Sequence, residues 1–513
     1  MVEALFELDS SSPVPLYRQV QDGIIHGIET GVFSPRRRLP SSRELADELE
    51  LSRNTINLAY QELLAQGILV SQERRGIFVT PDLAPDQLRG LIDPPEDKAA
   101  PLPGIDWSRR LAPSGDQDQI EVTKPTDWHE YPYPFIPGQI ELSQFPARSW
   151  NRCLRESLFK PHLVHSLQDS AGFDDPLLVE MIRTRLLPSR GVHAEAEEIM
   201  ITVGTQHGLD LIASALLSPG SRVLMEDPGY LDTRHIMLRH QATVGTMPVD
   251  DHGAQVPAQL DGIDAIFLTP SHHHPTNVTM SIERRRAVLD AASRSGTVVV
   301  EDDYDAEFRY TGQPSPSIKA LDPTGDVVHL GSFSKFLAPG LRLGFLVGPA
   351  PLLAELRHIT RYMLRHPPGL IQRAMALFLE SGDYHRTLRL SRDRMRSKWR
   401  LMTDGVKAHL PFETSAFPSG GVSLWVQGPQ ELDAHALQTA AARRGVLIEL
   451  GGMFFADPSA SEVRVSGSIP GAGDLVRRPG ATLRLGFSAI PERSIPAGMR
   501  ELGAAAREVL GDD

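Results

Sequence analysis

The sequence predicts a multidomain protein with a small helical head ending in a β-hairpin, an α/β body, and a smaller α+β part at the C-terminus. The chain has 513 residues, which exceeds one ordinary hydrophobic core, so two or more domains are expected. Short amphipathic helices occupy the first segment, and farther along the chain β-rich runs alternate with helical stretches. That alternation is typical of a parallel sheet with crossover helices.

The bulk composition is that of a soluble globular protein. Hydrophobic residues make up 41% of the chain, and a formal net charge of -13 argues against a nucleic-acid surface covering the whole molecule. Cys153 is the only cysteine, which excludes an internal disulfide and a cysteine-based metal cluster and fits a reducing cytoplasm. Because we find neither an export-type N-terminus nor a long apolar run, we expect no membrane span and a cytoplasmic location.

Three short helices are predicted in the head. Apolar residues recur every fourth position between residues 15 and 28, which predicts a first helix. Either Ser41 or Ser42 is a suitable N-cap for a second helix, and Ser52 is a suitable N-cap for a third that ends before Gly67. Two capped helices separated by a short turn predict a helix-turn-helix.

A β-hairpin and then a linker follow the third helix. Residues 68–70 and 77–79 are short β-rich runs, and the sequence Arg-Arg-Gly at residues 74–76 joins them as a wing. A winged helix-turn-helix is therefore predicted over residues 1–80. Residues 81–125 are rich in Pro, Asp, Gly and Gln and have weak periodicity, which is typical of a flexible linker.

The body is predicted to span residues 126–513. Its first half contains β-rich runs separated by helical stretches, at residues 199–203, 222–225, 265–268 and 297–300. Helices dominate after about residue 352, and further β-rich runs follow at residues 421–426 and 482–487. We therefore expect a parallel sheet with crossover helices and a smaller α+β subdomain from about residue 400.

The composition of the head does not mark it as a DNA-binding domain, because eleven acids outnumber its eight arginines. The positions of its polar and basic residues do indicate DNA binding, because these residues lie around the starts of the second and third helices and at the tip of the wing. The predicted DNA contacts are Arg36, Ser42, Arg43, Arg53, Asn54, Thr55, Arg75 and Gly76. Taken singly, residues 36–38 are equally well read as a solvated charge run, and Asn54 as a residue that starts a helix.

The sequence Ser-Phe-Ser-Lys at residues 332–335 is typical of a lysine that forms a Schiff base with pyridoxal 5'-phosphate. Such a cofactor also needs a phosphate site, a partner for its pyridine nitrogen and a group that stacks on its ring. Around Lys335, the residues suited to bind the phosphate are Ser332, Ser334 and Arg342. A second set opens a helix whose free amides bind the same anion: Gly204, Thr205 and Gln206.

Two carboxylates compete for the pyridine nitrogen. Asp302 and Asp303 both follow an apolar strand, and the alternation along the strand does not decide between them. Tyr304 is suited to bond the ring oxygen and Tyr230 to stack on the ring, although each is also a reasonable packing residue. Asp232 would place an acid near a bound effector, or simply start a helix. The three histidines at residues 272–274 do not predict a metal site, because neighbouring side chains in an extended loop point apart.

The head resembles the GntR-type winged helix in Leu-Pro-Ser-Ser-Arg-Glu-Leu-Ala at residues 39–46 and Ser-Arg-Asn-Thr at residues 52–55. Segments of the body resemble a fold-type I aminotransferase. Head and body together resemble the MocR subfamily of GntR regulators, above all in residues 226–230, 301–310 and 332–344.

This resemblance implies that Lys335 forms an internal aldimine, that Asp302 pairs with the pyridine nitrogen and that Arg484 binds an effector carboxylate. It also implies a domain-swapped, head-to-tail homodimer. His274 departs from the family pattern, since aminotransferases carry an asparagine there, but a neutral imidazole still donates one hydrogen bond to the ring oxygen. A Gly- and Pro-rich insertion at residues 466–480 precedes Arg484.

These features favour a transcriptional regulator that binds an operator in double-stranded DNA and senses an amine. An amino acid or related metabolite would form an external aldimine at Lys335, and the pathway controlled would be the catabolism of ectoine, taurine or a similar amino compound. The alternative is an active aminotransferase with a DNA-binding appendage. A scaffold that has lost the cofactor is disfavoured, because the cofactor residues are nearly complete.

Overall fold

The structure, a computed structural model, describes residues 6, 8–9, 12–35, 38–72, 75–81, 105–110, 125–312, 315–333, 335, 337–412, 417–456 and 479–511. Arg36, Ser334, most of the predicted linker and residues 466–478 of the insertion lie outside this set. The chain divides into two compact units, Met1–Ala112 and Pro113–Asp513. Within the described set, we find no helix with the length and apolar character needed to cross a membrane.

The head consists of three helices and a hairpin. Its elements are α1 (Leu16–Glu29), α2 (Ser42–Glu48), α3 (Arg53–Ala65), β1 (Leu69–Gln72) and β2 (Gly76–Val79). Ser41 is the N-cap of α2, because its hydroxyl accepts from the amide of Glu44 while the Glu44 carboxylate accepts from the amide of Ser41. Ser52 caps α3 by accepting from the amide of Thr55. Of the two predicted N-cap candidates, Ser41 and Ser42, the reciprocal bond identifies Ser41 as the cap.

The head has a hydrophobic core of its own. Val20 and Ile24 of α1 and Ile56 of α3 are fully buried in it. Strands β1 and β2 are antiparallel, and Gly76 begins β2 with a φ of 108°, a conformation that favours glycine. The predicted winged helix-turn-helix is confirmed. One turn of helix, α4 (Trp107–Arg110), lies in the segment that we predicted to be an unstructured linker.

The body begins with strand β3 and three helices that precede its main sheet. Their bounds are β3 (Tyr133–Pro134), α5 (Ala147–Glu156), α6 (Leu163–Leu167) and α7 (Pro176–Met181). Cys153 lies in α5 and is fully buried in the hydrophobic core. Burial raises the pKa of its thiol to about 11.

An eight-stranded sheet forms the centre of the body. Its strands are β4 (Ile199–Thr202), β5 (Arg222–Asp227), β6 (Thr243–Asp250), β7 (Gly253–Ala254), β8 (Ala265–Leu268), β9 (Val298–Asp303), β10 (Val327–Ser332) and β11 (Gly344–Val347). Their order is β4-β11-β10-β9-β8-β5-β6-β7. The run from β6 through β5, β8 and β9 to β10 is parallel, whereas β11 is antiparallel to both of its neighbours. The edge strand β7 is antiparallel to β6. The predicted parallel sheet is therefore confirmed, with two reversed strands, β11 and β7.

Helices cover both faces of this sheet. They are α8 (Gly204–Leu216), α9 (Leu231–Arg239), α10 (Ile282–Ser295), α11 (Ile318–Leu321) and α12 (Ala350–Met363). On β9, Val300 packs in the cluster that contains α8 and α12, whereas Val299 packs in the cluster that contains α10. Successive residues of β9 therefore face opposite sides of the sheet.

The smaller α+β part follows two further helices. The elements are α13 (Gly369–Glu380), α14 (Asp383–His409), β12 (Ser423–Gln427), α15 (Ala434–Arg443), β13 (Val446–Leu447), β14 (Glu449–Leu450), β15 (Thr482–Gly486) and α16 (Ile495–Leu510). Strands β12, β15 and β14 form an antiparallel sheet with β15 at its centre. The short β13 pairs with β3 from the start of the body.

Candidate functional site

The two candidate carboxylates at the end of β9 have different surroundings. Asp303 is buried, and its Oδ2 accepts from Nε of Arg190 at 2.7 Å. Asp302 faces the other side of the sheet, where it lines a small cavity with Glu226 and Tyr230. The carboxylate directed toward the helix α8 side is therefore Asp302, and Asp303 is engaged elsewhere.

The pKa values of Asp302 and Asp303 are shifted in opposite directions. Burial, followed by the charge of Asp303, raises the pKa of Asp302 to about 7, while Lys335 opposes that rise. Burial also acts against ionisation of Asp303, but Arg190 and His329 outweigh it and lower the pKa of this carboxyl. Asp303 is therefore ionised at neutral pH, whereas the pKa of Asp302 is itself close to neutral pH.

Two buried polar atoms near Lys335 fit the predicted cofactor. The side-chain nitrogen of Lys335 lies 5.7 Å from the ring centre of Tyr304. Neither Oδ1 of Asp302 nor the hydroxyl of Tyr304 has a hydrogen-bond partner in the described part of the chain, although both atoms are buried. Such atoms are costly to bury unless they are paired. A pyridine nitrogen and a ring oxygen are groups that would satisfy them.

An aromatic cluster surrounds His274. Its imidazole packs edge-on against Tyr230, Tyr304 and Phe454, with ring centres 4.9, 5.9 and 5.3 Å away, respectively. The structure thus brings together His274, Tyr230 and Tyr304, which the sequence predicted to serve one cofactor ring. Phe454 was missed, because nothing in its local sequence marks it as part of a site.

The neighbouring histidines point elsewhere. Nδ1 of His272 lies 2.9 Å from Asp305, and Nδ1 of His273 lies 2.7 Å from the hydroxyl of Thr276. Burial lowers the pKa of His273 to about 3, so this imidazole is neutral. Each of the three adjacent imidazoles therefore has its own set of contacts.

Of the predicted phosphate residues, Arg342 lies beside Gly204 at the start of α8. Gly204 begins this helix with a φ of 78°, and a Cβ there would lie 3.0 Å from a guanidinium nitrogen of Arg342. Nη2 of Arg342 also donates to the carbonyl of Val203. Thr205 and Gln206 follow in the first turn. A guanidinium beside a helix N-terminus combines two features that bind anions.

Ser332 and Glu226 lie near the carboxyl ends of β10 and β5, two parallel strands that β9 and β8 separate in the sheet. Ser332 is buried at the end of β10, opposite Gly344 of β11. The carboxylate of Glu226, at the end of β5, accepts from the amide and hydroxyl of Thr269 at 2.9 and 2.5 Å. Burial raises the pKa of Glu226 to about 8. No role is predicted for Glu226 from the sequence, although an acid that directly follows the apolar residues 223–225 is one sign of a functional carboxylate.

The two predicted effector residues already have partners. Nη1 of Arg484 lies 3.3 Å from the carboxylate of Glu449. Asp232 accepts from the hydroxyl of Tyr230 at 2.8 Å and from the side-chain amide of Gln206 at 3.4 Å. Glu449 is a residue that sequence reasoning missed; its signal is an acid between the apolar residues 448 and 450.

Four of the predicted DNA contacts are exposed on the head. Arg43, Arg53, Asn54 and Arg75 are exposed, at the starts of α2 and α3 and at the wing. The hydroxyl of Thr55 lies 2.8 Å from that of Ser52, so this side chain takes part in the cap of α3. Ser42 is half-buried as the first residue of α2, and a Cβ at Gly76 would lie 2.7 Å from Cδ of Arg38.

Comparison with known proteins identifies both units. Residues 16–79 match the family described as bacterial regulatory proteins, gntR family, and residues 165–468 match aminotransferase class I and II. The chain is 39% identical over 497 residues to the HTH-type transcriptional regulator TauR of Rhodobacter capsulatus, covering 96% of each protein. This protein is a MocR-type regulator of the GntR family. Its head is therefore a helix-turn-helix of a DNA-binding family, and its body belongs to a pyridoxal-phosphate-dependent fold family.

Other relatives of this MocR-type regulator agree with that assignment. It is 30% identical over 458 residues to the probable rhizopine catabolism regulatory protein MocR of Rhizobium meliloti, covering 88% of this chain and 90% of that protein. Among solved structures, α-aminoadipate aminotransferase LysN of Thermus thermophilus has a TM-score of 0.66 and 26% identity over 79% of this chain and all of LysN. The kynurenine aminotransferase of Pyrococcus horikoshii, at 24% identity, matches with a TM-score of 0.66 over 79% of this chain and 98% of that enzyme. The predicted fold-type I aminotransferase body is confirmed.

Proposed function

We propose that this MocR-type regulator senses a primary amine at Lys335 and converts amine binding into a change in DNA binding. The observation that carries the proposal is the pair of buried, partnerless atoms on Asp302 and Tyr304 beside Lys335, within the described part of the chain. A pyridine nitrogen and a ring oxygen would supply the hydrogen bonds that these atoms lack. The exposed basic residues of the GntR-type head supply the DNA-binding part of the same chain.

Two groups of residues would hold pyridoxal 5'-phosphate. The phosphate would lie against the start of α8 and the neighbouring basic and hydroxyl groups: Gly204, Thr205, Gln206, Ser332, Ser334 and Arg342. The ring would be held by Asp302 at its nitrogen, by Tyr304 and His274 at its oxygen, and by Tyr230 on its face. When bound, the cofactor supplies an aldehyde that takes one amine at a time, so an effector amine competes there with Lys335.

The charges of the site define the class of effector. Arg484 would recognise an acid group, such as a carboxylate or sulfonate. Asp232, which accepts from the hydroxyl of Tyr230, would favour an effector with a second, cationic group. Amino acids and related metabolites have this combination of amine and acid. The name of the relative TauR favours taurine, and ectoine-derived or similar amino compounds share the same chemistry.

The DNA operator would be read by the start of α3 and by the wing. Arg53 and Asn54 are exposed at the N-terminus of a recognition helix, where side chains reach base edges, while Arg43 and Arg75 are suited to phosphates. Arg36, Ser42, Thr55 and Gly76 complete this proposed surface. We further propose that the regulator works in the cytoplasm, and cell fractionation tests that location.

The regulator would act as a head-to-tail, domain-swapped homodimer. The body exposes Leu167, Phe173 and Met363, of which Phe173 has 77% of its surface accessible. An ion pair between Arg365 and Asp169 joins the segments that contain these residues. Large exposed apolar side chains grouped in this way favour a protein interface. Light scattering tests the assembly: a dimer mass is expected, and the mass of a single chain would contradict it.

A second candidate function is amine transfer. The presence of a lysine, a carboxylate for the ring nitrogen and a phenol for the ring oxygen favours it, because these groups suit a pyridoxal cofactor in an enzyme as well as in a sensor. In this case Lys335 would also carry protons between positions on the substrate, and a keto acid would accumulate. Regulation is preferred because the head has side-chain caps on both helices of the helix-turn-helix, α2 and α3, and exposed basic residues.

The absorption spectrum of the cofactor tests the sensing proposal. The purified protein should show a lysine-dependent band that one amine shifts without release of a keto acid. Lys335→Ala should abolish the band, whereas Lys407→Ala, at an exposed lysine of α14, should leave it unchanged. If no band forms after pyridoxal phosphate is added, the proposal is wrong. Steady production of keto acid would instead support the aminotransferase.

A further inference from the structure

Three side chains form a row across the small antiparallel sheet. Arg484, on the central strand β15, lies directly opposite Trp425 of β12 and directly opposite Glu449 of β14. Residues directly opposed in antiparallel strands project to the same face of the sheet. Arg484 therefore has an indole on one side and a carboxylate on the other.

Arg484 and Glu449 form a buried ion pair. Their side chains have accessible fractions of only 5% and 7%, and Nη1 lies 3.3 Å from the carboxylate oxygen. Nε of Arg484 donates to the hydroxyl of Ser423 at 3.2 Å, and the guanidinium carbon lies 5.7 Å from the ring centre of Phe454. The residue proposed to bind an effector acid thus already has an internal carboxylate bound to it.

This pair lies against the cofactor residues. The ring of Phe454, beside the guanidinium, also contacts the ring of His274. Burial raises the pKa values of Tyr230 and Tyr304 well above the ordinary value, and the charge of Arg484 opposes both shifts. An effector attached near Lys335 would therefore meet the Arg484 and Glu449 pair at its far end.

The geometry limits how an acid group can bind there. If a second carboxylate or sulfonate bound while Glu449 stayed on Arg484, one guanidinium would hold two anions in a site shielded from water. The repulsion between these two like charges would make that arrangement unfavourable. If the acid instead replaces Glu449 on the guanidinium, one anion is exchanged for another. The buried indole nitrogen of Trp425, which has no partner in the described part of the chain, would be an additional donor for the incoming group.

We propose that Glu449 is a specificity-determining residue that competes with the effector's acid group for Arg484. This inference rests on the proposed effector site. The ligand class is a primary amine with one acid group, and its acid binds in exchange for Glu449. An amine without an acid leaves the pair intact and gains nothing from Arg484. An effector with an acid group must therefore bind Arg484 strongly enough to displace Glu449.

Three matched probes separate the ends of the ligand: taurine has an amine and a sulfonate, ethylamine has only the amine, and ethanesulfonate has only the acid. Calorimetry with the cofactor-loaded protein gives the affinity for each. Glu449→Gln removes the competing charge while its side-chain oxygen still accepts from Arg484. We expect taurine and ethanesulfonate to bind about tenfold more tightly to this variant, and ethylamine to change less than about twofold.

Glu449→Asp is the matched control, because it retains the charge and should not tighten the binding of either sulfonate. If Glu449→Gln does not fold, as judged by circular dichroism, Glu449→Met removes the same charge with a side chain of similar length. Unchanged or weaker binding of both sulfonates, or an equal gain for ethylamine, would overturn the inference. If ethanesulfonate tightens but no amine alters the cofactor spectrum, amine sensing fails while the competition by Glu449 holds.

Discussion

At the scale of single residues, Asp302 and Asp303 differ in the partners of their carboxylates. Asp303 pairs with Arg190, so its charge is compensated on the α10 side of the sheet. Asp302 lies on the other side with a buried oxygen that lacks a partner in the described residues, and burial raises its pKa to about 7. A carboxylate of this kind gains stability from a protonated ring nitrogen, which would return its pKa toward the ordinary range.

Asp302→Asn therefore should weaken the binding of pyridoxal phosphate by about tenfold or more, because a charged hydrogen bond to the ring is lost. Asp303→Asn should instead lower the stability of the body, since it leaves Arg190 buried without its charge partner. Cofactor titration by absorbance and thermal unfolding measure the two effects. A larger loss of cofactor affinity in Asp303→Asn would show that the assignment of the two carboxylates is reversed.

Arg53 provides a residue-scale test of DNA reading. It is exposed at the first position of α3, where a guanidinium reaches a guanine edge. Arg53→Ala should lower operator affinity by roughly tenfold to a hundredfold. The operator is first selected from a random duplex library with the wild-type protein, and affinity is measured by fluorescence anisotropy. Arg18→Ala, at an exposed arginine of α1, is the control, and an equal loss there would argue against a specific role for Arg53.

At the scale of elements, local sequence predicted most of the structure because each signal acts over a few residues. Caps and apolar spacing located α1 to α3, and β-rich runs located the strands of the body. The choice between Asp302 and Asp303 depended on which face of β9 meets α8, which is a long-range contact. The ion pair between Arg484 and Glu449 depends on the pairing of strands 35 residues apart in the chain, so the local sequence around either residue does not predict it.

The cap of α2 provides an element-scale prediction. Ser41→Ala removes the hydroxyl that accepts from the amide of Glu44 and should destabilise α2 by about 1 kcal/mol. Amide hydrogen exchange in α2 should then be about fivefold faster in the full-length protein. Ser42→Ala changes the adjacent residue without removing the cap, so exchange should be close to that of the wild type. Equal acceleration in both variants would show that the capping box is not the stabilising feature.

At the scale of the whole molecule, one buried acid links the stability of the body to pH. The pKa of Glu226 is about 8 in the folded protein against an ordinary value of 4.5. The folded state therefore holds a proton that the unfolded state has released between these values. Its stabilising contribution is present below the unfolded pKa and is lost as pH rises to the folded pKa, by at most about 1.4 kcal/mol per pH unit.

Glu226→Gln should remove this dependence, because the amide does not titrate. Compared with the wild type, the variant should gain thermal stability between about pH 5.5 and about pH 8, as measured by the unfolding temperature of the body. The difference between the two proteins isolates Glu226 from the other buried acids. Glu197→Gln, at an exposed position, should follow the wild-type pH profile. Parallel profiles for Glu226→Gln and the wild type would contradict the elevated pKa.

The burial of Cys153 has a practical consequence for following the two units in solution. A thiol reacts with maleimide and similar labels as its thiolate, and Cys153 is both buried and held protonated by its raised pKa. Since it is the only cysteine in the chain, the native protein should have almost no background labelling. A cysteine introduced at an exposed site such as Leu58 of α3 would then be the single attachment point for a spin label or fluorophore. Distances between the two heads of the proposed dimer, with and without amine, become measurable without first replacing the native cysteine.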